Sequence, residues 1–200
     1  MYPIVLSDSI LEQACKWCDE CCNHSCAKVP IKIGEEFLSN TKTLLYISQN
    51  FEAKGKTICG LYTVDGNLLD KDGYTIFLNN LNIRQGEWMP TLLHEITHVL
   101  DPDFPADLSK TDELSKKGLL ESYYYFKWPS ELKAFASMWT FHIKDDVLKG
   151  KYKNPSVSIA EYKIMPEFKI YYDNISEEYR DILKSHISQI ADFWNSKNLL

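Results

Sequence analysis

The sequence predicts an α+β fold in which a small sheet packs on a buried helix, and three observations lead there. The stretch from Ile31 to about Asn80 reads as short β-like runs separated by Gly, Asn and Asp turn signals. Later segments carry apolar residues at helical spacing. A composition of 44% hydrophobic and 13% aromatic residues in 200 supplies ample material for a core. That length suits one domain, 1–200, with a leading helix in 1–30, a core in 31–150 and a helical C-terminal part in 151–200.

The elements follow in order. Ser7 or Asp8 can cap a helix running to about Ala27, with Ile10, Leu11, Ala14, Trp17, Cys18, Cys21 and Cys22 as its apolar residues, and Val29-Pro30 ends it. Strands are expected over residues 43–48, 57–64 and 74–78, forming a sheet expected to be antiparallel. Pro90 suits a first helical turn, and Leu92, Leu93, Ile96, Val99 and Leu100 then recur at helical spacing, so this helix should be buried. Asp101-Pro102 stops it, and the polar, proline-bearing stretch to about Lys117 reads as a surface loop. After an aromatic run, Pro129-Ser130-Glu131 opens a long helical pattern (Leu132, Phe135, Ala136, Trp139, Ile143, Val147) to Gly150. Ser176-Glu-Glu caps the last helix, whose stripe is Tyr179, Ile182, Leu183, Ile187, Ile190, Phe193 and Trp194.

Charge narrows the range of functions. With 22 basic against 28 acidic side chains, net −6, the chain lacks the footprint that drives binding to phosphate backbones, so no nucleic-acid partner is expected. The start, Met1 to Asp8, has no basic region or apolar stretch of a secretory signal, and no later segment resembles a membrane span. A cytoplasmic location with no membrane partner is the expectation.

His94-Glu95-Ile96-Thr97-His98 carries the chemistry. Residues four apart share a helix face, so both imidazoles can reach one zinc ion while Glu95 stands beside them as a proton acceptor; this is the zincin motif. A catalytic zinc usually has three protein ligands and one open position. Asp101, one turn past His98, would have to bend back from the same helix end, and a supporting or capping role suits it better. Glu131, in the first turn of another helix, is the better third ligand; the competing role is an acid favoured there by the helix dipole. His142 lies about 16 Å further along that helix and is too distant for the same ion.

His94-Glu-Ile-Thr-His98, followed by an acidic turn, an aromatic run and Pro129-x-Glu131-x-x-Ala134-Phe-Ala, resembles the gluzincin-type metallopeptidases of phages and mobile elements. It is distantly similar to the ImmA/IrrE group, over about residues 74–140. The resemblance implies a zincin-like peptidase domain with Zn2+ held by His94, His98 and Glu131, Glu95 as catalytic base, and a peptide or protein as substrate. An enzyme of this kind encoded by a phage acts in the host cytosol. Two features depart from the group's pattern: the Cys-rich leading helix, and the lack of a helix-turn-helix segment, so a repressor-cleaving role does not carry over.

Peptide hydrolysis also needs a donor for the developing oxyanion. Tyr123, Tyr124 and Tyr125 are candidates, with Tyr124 taken as the representative, although aromatic runs are as often core. The strand over residues 74–80 could accept an extended peptide as an added strand.

Five of the six cysteines, Cys15, Cys18, Cys21, Cys22 and Cys26, fall within twelve residues. An iron–sulfur run is a poor match, because the last gap is four residues and the usual proline is missing. A zinc site with Cys15, Cys18, Cys22 and Cys26, with or without His24, requires a break in the helix or a second chain. Simple packing fits best, since Cys15, Cys18 and Cys22 continue the stripe begun by Leu11. The isolated His24 and His186 read as ordinary surface or interface residues. The competing function is a non-catalytic interaction or metal-sensing protein that uses this Cys-rich helix.

Overall fold

The computed structural model describes residues 28–32, 42–47, 54–59, 63–64, 67–68, 74–79, 87–117, 128–151 and 166–197. In chain order these residues form strands β1 (Lys28–Lys32), β2 (Lys42–Ile47), β3 (Gly55–Cys59), β4 (Thr63–Val64), β5 (Asn67–Leu68) and β6 (Tyr74–Leu78). Helices α1 (Trp88–Leu100), α2 (Phe104–Lys116), α3 (Pro129–His142), α4 (Lys144–Leu148), α5 (Pro166–Asn174) and α6 (Glu177–Lys197) follow. Residue contacts group into two compact units, one ending at Pro102 and holding the sheet and α1, the other starting at Asp103 and holding the remaining helices. The division falls inside the 31–150 segment that the sequence assigns to the core.

In the first unit the main sheet has the order β1-β2-β6-β3. β1 and β2 pair antiparallel, as do β3 and β6, with Thr57 opposite Ile76. The central pair, β2 with β6, is parallel, with Leu45 opposite Ile76. The sheet is therefore mixed, which corrects the antiparallel expectation. The cause is topological: a parallel pair needs a connection of a dozen or more residues, and the stretch between Ile47 and Tyr74 supplies it, with β3 inside it. β4 and β5 form a separate two-stranded antiparallel ribbon.

β6 is bonded on both edges, so it has no free edge to receive a peptide, and the proposed role of residues 74–80 in strand addition is withdrawn. Its unbroken Ile76-Phe77-Leu78, all three buried, is the texture of a central strand covered on both faces. Helix α1 packs on β3 and β6, as the α+β reading requires.

In the second unit, residues 104–116 form α2 and not a surface loop. Pro105 sits in its first turn, where its missing N–H costs nothing, Asp107 lies there too, and Lys116 closes the last turn. The long pattern from Pro129 to Gly150 is also interrupted. α3 ends at His142, Ile143 leaves helical geometry at φ −96°, and α4 resumes to Leu148, two residues before Gly150 at φ 68°, the left-handed conformation that glycine adopts without strain. The break is silent in the hydrophobic pattern because Ile143 and Val147 stay buried across it.

Helix α3 packs against α6. Leu132, Ala136, Trp139, Leu183, Ile187 and Ile190 belong to the core that joins them. α5, which the sequence reading did not single out, adds Phe168 stacked on Trp139 at 4.7 Å and Tyr171 stacked on Phe135 at 3.7 Å. Ile182, assigned to the buried stripe of α6, is instead exposed. Among the described residues no helix is long and apolar enough to cross a membrane.

Candidate metal centre

Every residue of α1 from Pro90 to Val99 is buried, and five of them are polar: Thr91, His94, Glu95, Thr97 and His98. Polar groups on so enclosed a helix require internal partners. Thr97 donates its hydroxyl to Leu93 O, one turn back, at 2.7 Å. At the start of the helix, the buried Glu87 accepts from Lys54 Nζ at 2.6 Å, a link from α1 to the residue that precedes β3.

His94 and His98 face one another as their spacing requires. Their Nε2 atoms stand 3.2 Å apart, with the rings nearly perpendicular at 82°. Two nitrogens bound tetrahedrally to one ion at about 2.0–2.1 Å would be roughly 3.3 Å apart. An N–H···N hydrogen bond between a donor and an acceptor tautomer has a similar length. The pair is thus preformed for a cation or for one shared proton.

Glu95 points toward the sheet. Its Oε2 accepts from Thr57 Oγ1 on β3 at 2.6 Å, and the same hydroxyl lies 3.1 Å from Glu95 O. A Cβ placed on Gly55 would stand 2.5 Å from Glu95 Oε1, closer than real Cβ contacts, so only glycine leaves this carboxylate its position. Neither Gly55 nor Thr57 is flagged by the sequence, where a glycine and a threonine in a short strand carry no chemical signature.

Glu131 lies buried in the first turn of α3, which opens on Pro129. Trp128, the N-cap, provides no side-chain hydrogen bond. Asp107 of α2 takes that role: its Oδ2 accepts from Ser130 N at 3.1 Å and from Ser130 Oγ at 2.7 Å. Lys133 of α3 pairs with Asp103 at 2.6 Å. Burial holds the Tyr171 phenol well above its ordinary range, and the negative charge of Glu131 adds to the effect.

His94, His98 and Glu131 are each buried, and each offers one atom able to ligate a metal ion. Asp101 is the C-cap of α1, buried, with its N–H donating to His98 O at 3.2 Å. His142 is exposed. His186 is half-buried, and burial, with the nearby Lys133 charge, lowers its pKa to about 4. Tyr123, Tyr124 and Tyr125, the cysteines from Cys15 to Cys26 and His24 lie outside the described residues.

No protein-family model, curated protein or solved structure matches the chain.

Proposed function

We propose that this chain is a zinc-dependent metallopeptidase of gluzincin type, with a zincin-like site in which His94, His98 and Glu131 are the ligands and Glu95 is the general base. The observation that carries the reading is the 3.2 Å convergence of the two Nε2 atoms on a buried helix; Glu131, buried in the first turn of α3, is proposed as the oxygen donor of a two-nitrogen, one-oxygen set. Three protein donors of this kind suit a catalytic zinc that keeps one position open. Calcium and magnesium prefer all-oxygen sites, which this group is not.

A bound zinc ion supplies Lewis acidity toward a water molecule and a substrate carbonyl. The protein supplies the rest. Glu95 accepts the proton of the attacking water and returns it to the leaving amine, so that one carboxylate serves as base and then as acid. Burial of the helix around Glu95 keeps bulk water from competing for that proton. β3, the edge strand of the main sheet among the described residues and packed on α1, offers main-chain groups to an extended peptide.

The test combines metal analysis with peptide hydrolysis. One zinc per chain is expected, lost in His94→Ala, and Glu95→Gln should keep the zinc while losing hydrolysis of a mixture of internally quenched peptides. Failure of the zinc-reconstituted protein to retain stoichiometric metal, or undiminished hydrolysis by Glu95→Gln, overturns the reading.

A further inference from the structure

We propose that Gly55 and Thr57 form a receptor on β3 for the Glu95 carboxylate and serve as positioning residues for its proton transfer; this rests on the peptidase reading above. Residues two apart on a strand share one face, so both meet the side chain that α1 sends toward the sheet. They treat its two oxygens differently. Oε2 accepts the Thr57 hydroxyl at 2.6 Å, while Oε1 occupies the space that a Cβ at residue 55 would need, only 2.5 Å from that point. Such a Cβ would also fall 2.9 Å from Glu95 Cγ and 3.0 Å from Cδ, so any side chain at this position displaces the whole carboxylate.

Thr57 has a single hydroxyl proton, and the 2.6 Å contact to Oε2 is shorter than the 3.1 Å contact to Glu95 O. The carboxylate is therefore the preferred acceptor. A carboxylate enclosed in protein needs such a donor to stay in place. With Oε2 tied, rotation about the last side-chain bond is arrested, and Oε1 is the oxygen left to take a proton. Misplacement of a catalytic group by about 1 Å can cost on the order of 100-fold in rate, so the receptor should act on turnover more than on binding.

Three variants test this. Thr57→Val preserves shape and β-branching but removes the donor; it should keep its zinc and its KM within about twofold while kcat falls on the order of 10- to 100-fold. Thr57→Ser restores the hydroxyl and should return kcat to within a few-fold of the parent. Gly55→Ala should lower both kcat and the melting temperature. A second readout needs no catalysis. In metal-free protein, Thr57→Val should lower the melting temperature by several degrees beside Glu95 and by much less in a Glu95→Ala background. Additive melting-temperature losses, or an unchanged kcat for Thr57→Val in a hydrolysing enzyme, overturn the proposal. If the parent protein cleaves none of the quenched peptides, the peptidase reading fails, while a non-additive melting-temperature result would still support the receptor for Glu95.

Discussion

Asp107 caps the helix that carries Glu131: its Oδ2 accepts both the backbone N–H and the hydroxyl of Ser130, at 3.1 and 2.7 Å, with both residues buried. The capping side chain of α3 is thus borrowed from α2, since Trp128 at the N-cap position forms no side-chain hydrogen bond. Loss of a capping side chain costs about 0.5–2 kcal/mol. Asp107→Ala should therefore lower stability by that amount, measured by chemical denaturation. Because Glu131, the proposed third ligand, is the next residue after Ser130, the variant should also weaken the proposed zinc binding severalfold. Asp107→Asn, which retains an acceptor oxygen, should lose less of both.

The visibility of this cap and of the site in the sequence differs for a physical reason. His94, Glu95, His98 and Glu131 stand out because ligand chemistry restricts residue type and because four-residue spacing on a helix fixes a common face. β6 and α6 are legible from local signals, an apolar run bounded by turn residues for the strand and a capped apolar stripe for the helix. α2 is not, because a polar helix whose proline lies in the first turn has the composition of a loop. The pairing of β2 with β6 depends on a long-range connection that leaves no local trace. Asp107, Gly55 and Thr57 act across elements, and the residues they meet, Ser130 and Glu95, are 23 and 38 positions away.

Metal binding should be visible in stability as well as activity. A ligand that binds only the folded protein stabilises it by about 2.7 kcal/mol at a free concentration 100 times its dissociation constant. Adding zinc to chelator-treated protein should raise the melting temperature, and the rise should disappear in His98→Ala and shrink in Glu131→Gln. The same two imidazoles joined only by a shared proton predict no zinc-dependent shift, so differential scanning fluorimetry distinguishes the two arrangements.

The aromatic stack in the second unit should dominate its stability. Trp139 is buried, lies 4.7 Å from the Phe168 ring and belongs to the core shared by α3, α5 and α6. Truncation of a large buried aromatic costs about 3–5 kcal/mol through lost transfer energy and the cavity left behind. Trp139→Ala should therefore unfold at markedly lower denaturant, whereas Ile170→Ala, at an exposed position on α5, should change stability by less than about 0.5 kcal/mol.

His186 gives the fold a pH dependence with a definite sign. Burial in the second unit, assisted by the positive charge of Lys133, lowers its folded pKa to about 4 from an ordinary value of 6.5. Between those two values the unfolded chain binds a proton that the folded protein refuses, and stability rises with pH wherever the unfolded state holds more protons. The contribution is therefore complete above about pH 7, falls as the pH drops through 6.5 toward 4, and is exhausted below 4. Each pKa unit corresponds to about 1.4 kcal/mol, and with the ring only half-buried a total loss of about 1–3 kcal/mol is expected. His186→Gln removes the titrating group, so denaturation midpoints measured from pH 7.5 to 4.5 should fall less steeply in the variant than in the parent. Parallel pH profiles for the two proteins would mean that His186 takes up its proton equally well folded and unfolded.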